Sequence, residues 1–107
     1  MTKKYKLTKT TKTECGITFY QIEALRDVND VSKGDKGGWV EKEDNLNQDG
    51  DAWVSGDAWV YGNARVSGNA RVSGNARVYG NARVSGTARV YGDTWMSGDV
   101  WVYGKNL

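Results

Sequence analysis

The chain contains no histidine, no proline and a single cysteine, Cys15, among its 107 residues. Without histidine it lacks the usual zinc ligand, the usual general base and any Ser-His or Cys-His relay. One cysteine excludes an internal disulfide and is typical of a reducing compartment. No apolar run approaches the roughly 18 residues of a membrane span, and no charged-then-apolar leader opens the chain. We therefore expect a cytoplasmic protein with no membrane span, no metal and no other cofactor.

An excess of one charge is also missing. Lysine and arginine total 15, aspartate and glutamate total 13, and the net charge is only +2. General nucleic-acid binding is not expected from so small an excess. The length allows one small domain and little more.

Glycine is abundant, with 14 residues, and it recurs every sixth residue from Gly50 to Gly104. The units that end on these glycines read DAWVSG, DAWVYG, NARVSG, NARVSG, NARVYG, NARVSG, TARVYG, DTWMSG and DVWVYG. A degenerate unit, NLNQDG at 45–50, precedes them. Repetition at a short fixed period indicates a solenoid.

Within each unit, a small residue and a valine flank one arginine or tryptophan. In a strand the two flanking residues share the inward face and the middle residue points outward. The Ser/Tyr-Gly-Asn/Asp that follows predicts a corner, because glycine and asparagine tolerate a left-handed backbone. A helix is excluded, since a glycine every six residues would cost about 1 kcal/mol each relative to alanine. The sequence therefore predicts an all-β solenoid.

The repeat resembles that of the hexapeptide-repeat family over residues 45–104. The resemblance implies a left-handed parallel β-helix, triangular in section, with three hexads per coil. It also implies a homotrimer with ligand sites in the grooves between subunits. One departure is that serine or tyrosine separates the inward aliphatic from glycine, which suggests a shifted corner. We assign residues 1–44 to an N-terminal β cap and bridging loop, 45–104 to the solenoid and 105–107 to a C-terminal tail.

The N-terminal segment has no repeat. KYKLTKTTKTE and ITFYQIEAL predict two strands around Cys15 and Gly16, and such a β-hairpin would cap the exposed end of the solenoid. Its lysines favour a solvated edge strand, and a nucleic-acid or acidic-protein contact is the alternative; they are Lys3, Lys4, Lys6, Lys9 and Lys12. The order QIEALRD, GGWVEKEDNL and NARVYG is similar to small uncharacterised phage and prophage proteins, which implies a genomic setting and no chemistry.

Three hexads per coil would place residues eighteen apart side by side, about 4.8 Å from each other. The outward columns are then Trp53-Arg71-Arg89, Trp59-Arg77-Trp95 and Arg65-Arg83-Trp101. These arginines form a belt around the middle of the solenoid, and no acid within the columns offsets their like charges. An anion could do so. The structural alternative is that Arg77 stacks between tryptophans and that Asn75 separates two aspartates.

We expect a binding protein that is not an enzyme, because the hexapeptide-repeat acyltransferases and zinc enzymes that the chain resembles use histidines that it lacks. The first hypothesis is a phage-type protein that sequesters a small anionic, nucleotide-like ligand and so counters host defence, in grooves between subunits of an oligomer, with a trimer favoured. The candidate ligand-binding residues are Arg65, Arg71, Arg77, Arg83, Arg89, Trp59, Trp95, Tyr79 and Tyr91.

The alternative hypothesis is a protein-binding inhibitor or scaffold that acts on a host protein through one solenoid face. Aromatic residues near the C-terminal end would then be the main contacts, because aromatic side chains dominate binding energy at interfaces. The candidates are Trp95, Trp101 and Tyr103. A virion or assembly component is a third option.

Overall fold

The computed structural model of the chain describes residues 3–14, 16–28 and 31–103. Cys15 and the predicted tail at 105–107 lie outside these residues. The described residues form strands β1 (Tyr5–Glu14), β2 (Ile17–Ala24), β3 (Lys36–Val40), β4 (Trp53–Val54), β5 (Trp59–Val60), β6 (Arg65–Val66), β7 (Arg71–Val72), β8 (Arg77–Val78), β9 (Arg83–Ser85), β10 (Arg89–Val90), β11 (Trp95–Met96) and β12 (Trp101–Tyr103), with one 3-10 helix at Glu43–Asn45. Within this part of the chain, no helix has the length and apolar character of a membrane span.

Strands β4 to β12 each come from one hexad and stack in parallel, turn upon turn. Each of β4 to β9 pairs with the strand eighteen residues further on, so that Arg77 lies between Trp59 and Trp95. The stacked strands make three faces: the first is β4-β7-β10, the second contains β5-β8-β11 and the third is β6-β9-β12. The predicted all-β solenoid with three hexads per turn is confirmed.

The core is built from the two inward positions of every unit. Alanines and valines from Ala52 to Val84 are at most 1% exposed, because each turn covers the one below it. Between the faces, the corner glycines from Gly50 to Gly98 adopt φ values from 64° to 77°. The backbone of one corner also bonds to the next, as where the N–H of Asn75 donates to the carbonyl of Gly92 at 2.9 Å.

The first turn, which contains β3 and the 3-10 helix and precedes β4, does not follow the eighteen-residue spacing. Trp39 of β3 pairs with Trp59, and Leu46 pairs with Val66, both at a separation of twenty residues. The NLNQDG segment therefore does not occupy the hexad register, because Leu46 takes the place of an inward valine and is fully buried. Asn45 fixes this turn: its side-chain oxygen accepts from the N–H groups of Glu41 and Lys42, and its Nδ2 donates to the carbonyls of Gly62 and Ala64.

Strands β1 and β2 form the predicted hairpin, and β2 pairs antiparallel with β3. The hairpin thereby extends the second face into a six-stranded sheet in the order β1-β2-β3-β5-β8-β11. The register of β1 shifts between Leu7 and Thr11, and the Thr8 hydroxyl donates to the Gln21 carbonyl there. Such an irregularity, with the exposed Lys6 and Lys9, protects the free edge of β1 from pairing with other strands.

The lysine run is not solvated throughout, which corrects the prediction of a solvated edge. Lys4 is fully buried, and its Nζ donates to the Ala52 carbonyl at 2.7 Å. Among the strands that the structure describes, β4 is an edge of its sheet, so Lys4 supplies a donor where none of them does. Lys12 is half-buried, with its Nζ 4.2 Å from the ring centroid of Trp39.

The burial of Lys4 predicts a pH-dependent stability. Burial, and secondarily the charge of Arg26, lowers the pKa of Lys4 from 10.5 to about 8. Between these values the unfolded chain binds more protons than the folded one, so stability rises with pH. We expect the free energy of unfolding in urea to increase by about 2 kcal/mol from about pH 7.5 to about pH 9.5.

The control for this measurement is Lys4→Met, which keeps the apolar stem and removes the charge. The increase should be absent in this variant, and an equal increase in both proteins would contradict the assignment to Lys4. Burial raises the pKa of Tyr5, which opposes the trend above about pH 10, so the comparison stays below that pH.

Candidate functional site

The nine candidate ligand-binding residues do not form one site within a chain. The first face carries Arg71 and Arg89, the second carries Arg77, and the third carries Arg65 and Arg83. The belt predicted from the sequence is present, but each face presents a different environment to its arginines.

On the second face, Arg77 is stacked between aromatic rings. Its Cζ lies 3.8 Å from the ring centroid of Trp59 and 5.2 Å from that of Trp95. Trp59 also packs against Phe19 of the hairpin, with ring centroids 4.5 Å apart, and is only 9% exposed. The stacking considered as the structural alternative for this column is therefore the arrangement found. Tyr79 is stacked as well, with its ring parallel to that of Tyr61 at 4.9 Å.

On the first face, the hairpin covers one end of the arginine column. Trp53 is 2% exposed and meets Tyr5 edge to face, with ring centroids 6.4 Å apart. Arg71 above it is half-buried, whereas Arg89 is exposed. Tyr91 lies at the corner that leaves this face and is 67% exposed.

The third face combines two exposed arginines with an exposed aromatic ring. Arg65 and Arg83 are neighbours in register, and Trp101 follows Arg83 in the same column. The Cζ of Arg83 lies 5.3 Å from the ring centroid of Trp101, which is 62% exposed. Over residues 3–14, 16–28 and 31–103, no carboxylate oxygen lies within 4.0 Å of either guanidinium. These two charges are therefore available to an external anion.

A depression lies on each side of this column. The first, of about 610 Å³, is lined by Lys42, Asp44, Asn63, Ala64, Arg65, Asn81, Arg83, Asp99 and Trp101, and we call it the third-face groove. The second, of about 560 Å³, shares Asp44, Arg65, Arg83 and Trp101 with the groove and adds Glu43 as a further acid. The groove has three cationic side chains against two carboxylates, whereas the second depression has two against two. The groove is therefore the side that favours an anion.

A ladder of amides forms one wall of the groove. Asn63 Nδ2 donates to Asn81 Oδ1 at 3.3 Å, and Asn81 Nδ2 donates to Asp99 Oδ1 at 3.1 Å. The same arrangement recurs at another corner, where Asn75 Nδ2 donates to Asp93 Oδ1 at 3.2 Å. At this second corner Asn75 lies between Asp93 and Asp57 of the turns on either side, as the spacing predicts, and in the groove Asn81 holds the Asp99 carboxylate in place.

Several groove residues were not among the predicted ligand-binding residues. Asp99 occupies the Asn/Asp position that the repeat assigns to a corner, and the eighteen-residue spacing places it beside Asn81. The approach of Lys42 and Asp44 to Arg65 has no such signal, because the first turn departs from the repeat. The arginine columns contain no acid, yet the fold brings two carboxylates into the groove beside them.

The large apolar side chains that are exposed among the described residues all belong to the C-terminal turn. Its exposed side chains are Tyr91 at 67%, Trp95 at 62%, Trp101 at 62% and Val100 at 47%. Strands β10, β11 and β12 each pair on one side only within the described residues. Tyr103 belongs to β12, but its side chain lies outside what the structure describes. Among the described residues, no group of three or more acidic or cysteine side chains is placed to hold a metal ion.

Comparison with known proteins finds the repeat elsewhere. A family model described as the YdcK beta solenoid repeat matches residues 58–74, 64–80, 70–86, 76–92 and 82–98. The uncharacterised acetyltransferase YdcK of Escherichia coli (strain K12) is 40% identical over 42 residues, which are 39% of this chain. The match covers only 13% of that protein's length. Together with the fold, these matches confirm the predicted hexapeptide-repeat-like β-helix, and the phage origin stays a prediction.

The prediction that the chain is not an enzyme is contradicted by this relative. That prediction rested on the lack of histidine, but a protein named as an acetyltransferase contains a segment similar to these repeats. Carboxylates, tyrosine, lysine and cysteine can also transfer protons or act as nucleophiles. The lack of histidine therefore excludes particular mechanisms and does not exclude enzymatic activity.

Proposed function

We propose that this chain binds a small anionic, nucleotide-like ligand in the third-face groove. The observation that carries the proposal is the pair of exposed arginines, Arg65 and Arg83, held side by side by the register of β6 and β9. At about 4.8 Å, the spacing of neighbouring strands, two unit charges repel by about 1 kcal/mol in water and by about 3–4 kcal/mol at an effective dielectric of 20. An anion between the guanidiniums removes this repulsion and accepts charge-assisted hydrogen bonds.

Trp101 supports a ligand that also carries a ring. Its exposed indole stands next to Arg83 in the column, so a ligand with its anionic group on the arginines can place a base on the indole. Stacking of a base on an aromatic side chain contributes about 1–3 kcal/mol. The groove volume, about 610 Å³, lies in the range of small-molecule sites.

Only the resemblances to the hexapeptide-repeat family and to small phage and prophage proteins support a wider biological setting. A groove completed by a neighbouring subunit of a homotrimer, and capture of the ligand to counter a host defence in the cytoplasm, stay predictions. The proposal concerns binding, and it leaves room for a chemical step because the E. coli relative is named as an acetyltransferase.

The test is titration calorimetry with the mono- and triphosphates of adenosine, guanosine, cytidine and uridine. For the tightest of these, Arg65→Ala and Arg83→Ala should each weaken binding by about 10- to 100-fold, the effect of losing a charged hydrogen-bond partner. Trp101→Ala should weaken it about 5- to 100-fold. The recovered nucleotide is checked by mass spectrometry for any chemical change.

Two matched variants control for general effects of charge and hydrophobicity. Arg89 is exposed and occupies the same position of its hexad as Arg83, but it lies on the first face. Trp95 is 62% exposed, as Trp101 is, but it lies on the second face. Arg89→Ala and Trp95→Ala should leave the affinity unchanged. The proposal would be overturned if the unaltered protein bound none of these nucleotides, or if the control variants lost as much affinity as the groove variants.

A protein partner is the second candidate, and the exposed aromatic surface of the C-terminal turn favours it. Trp95 and Trp101 belong to β11 and β12 and Tyr91 follows β10, and over the described residues each of these strands pairs on one side only. A partner docked there would lose affinity with Trp95→Ala as well as with Trp101→Ala. The same variants therefore distinguish the two candidates, since of these two tryptophans only Trp101 lines the third-face groove.

A further inference from the structure

We infer that the third-face groove selects a nucleoside monophosphate over nucleoside polyphosphates, because carboxylates stand at both ends of its arginine pair. The inference rests on the proposed function and names the ligand class for the same groove. Along the solenoid axis the groove begins at Asp44 of the 3-10 helix, continues through Arg65 and Arg83, and ends at Asp99 beside Trp101.

The arginine pair matches a single phosphate group. Successive strands of the third face are about 4.8 Å apart, so one phosphate can reach both guanidiniums. Among the residues that line the groove there is no third arginine. A second or third phosphate would extend beyond the pair and approach a carboxylate instead.

The two ends of the groove have different surroundings. At one end, Asp99 is held by its bond from Asn81 and adjoins Trp101, so it can accept a hydrogen bond from a sugar hydroxyl or a base N–H of a stacked nucleoside. At the other end, Asp44 lies beyond Arg65, where a polyphosphate chain would continue. Lys42 lies near Asp44, and the two opposite charges leave no net attraction for further phosphates.

The experiment compares the affinities of AMP and ATP by titration calorimetry at one ionic strength and without divalent cations. We expect the unaltered protein to bind AMP at least as tightly as ATP, although ATP carries the larger negative charge. Asp44→Asn should shift the ratio of affinities towards ATP by about threefold or more, because it removes the repelling charge at the end where the polyphosphate chain would continue. Asp99→Asn lies at the nucleoside end, which AMP and ATP share, so it should change both affinities in parallel.

Asp93→Asn is the matched control. Asp93 occupies the same hexad position as Asp99 and accepts from Asn75 as Asp99 accepts from Asn81, but it lines neither depression. Asparagine retains an acceptor oxygen, so the amide ladder is preserved in every variant. The control should leave the ratio unchanged.

The outcomes separate this inference from the proposed function. ATP binding tenfold tighter than AMP, with a ratio that Asp44→Asn does not change, would overturn the selectivity while leaving the arginine site in place. No binding of either nucleotide overturns both. A shift towards ATP in Asp44→Asn, and in neither Asp99→Asn nor Asp93→Asn, supports the inference.

Discussion

Gly74→Ala is expected to destabilise the chain by about 2 kcal/mol more than Gly92→Ala. Both glycines have positive φ, 69° and 68°, so the backbone strain of alanine, about 1–2 kcal/mol, is common to both. A Cβ at Gly74 would lie 2.9 Å from the backbone N of Gly92, whereas a Cβ at Gly92 has no atom within 4 Å. Relieving that overlap costs a further 1–3 kcal/mol or so.

The measurement is the free energy of unfolding in urea, followed by far-ultraviolet circular dichroism. The overlap at Gly74 is with backbone, so the corner itself must move, and the hydrogen bond from the Asn75 N–H to the Gly92 carbonyl is weakened. Equal costs for the two variants would show that φ alone demands glycine. A larger cost for Gly74→Ala shows that the contact between turns demands it as well.

This dependence on short-range geometry explains why the solenoid could be predicted from the sequence. Each hexad specifies its own strand and corner, and the eighteen-residue spacing follows once three corners close a turn. The stacking of Arg77 on Trp59 and the bond from Asn75 to Asp93 both occur at that spacing. The repeat spacing alone is enough to predict both of these contacts.

The first turn and the hairpin could not be predicted in the same way. Between Asn47 and Asp51 the chain contains two more residues than the regular repeat, which changes the separation of paired residues from eighteen to twenty. Trp53 and Trp59 occupy outward positions, yet the hairpin covers them and leaves each less than a tenth exposed. Residues 1–44 have no repeat, so nothing in their pattern shows what they cover.

One part of the candidate site follows from the regular repeat, and the other part follows from the irregular first turn. The spacing places Arg83 between Arg65 and Trp101, and these side chains are exposed as predicted for an outward column. The position of Asp44 depends on the 3-10 helix, which the irregular first turn places against the third face. The arginine pair that attracts an anion could therefore be predicted from the repeat. The limit on the number of phosphates could be inferred only from the structure, because it depends on Asp44.

Tyr5 connects the hairpin to that 3-10 helix, and its loss is the second large effect that we expect. Tyr5 is fully buried, and its Oη lies 2.7 Å from the Glu43 carbonyl oxygen and 2.6 Å from that of Leu46. Gln48 holds the same segment by accepting from the Lys4 and Tyr5 N–H groups and donating to the Tyr5 carbonyl. The start of β1 is thereby attached to both sides of the helix that carries Asp44.

Tyr5→Ala should reduce the free energy of unfolding by about 3–5 kcal/mol, because it removes a buried aromatic ring and leaves a cavity. Tyr5→Phe should cost about 1–3 kcal/mol, the penalty for leaving a buried carbonyl without its donor. Urea unfolding measures both. Tyr91→Phe is the control, since Tyr91 is 67% exposed and its hydroxyl has no partner among the described residues, and it should leave stability unchanged.

Tyr5→Phe also links stability to the groove. The variant keeps the ring against Trp53 but releases the carbonyls at both ends of the 3-10 helix, so Asp44 is held less firmly beside Arg65. We therefore expect Tyr5→Phe to shift the ratio of AMP to ATP affinity in the same direction as Asp44→Asn, and by less. A variant as stable as the unaltered protein would contradict the role of the hydroxyl; a less stable variant with an unchanged ratio would limit that role to holding the cap.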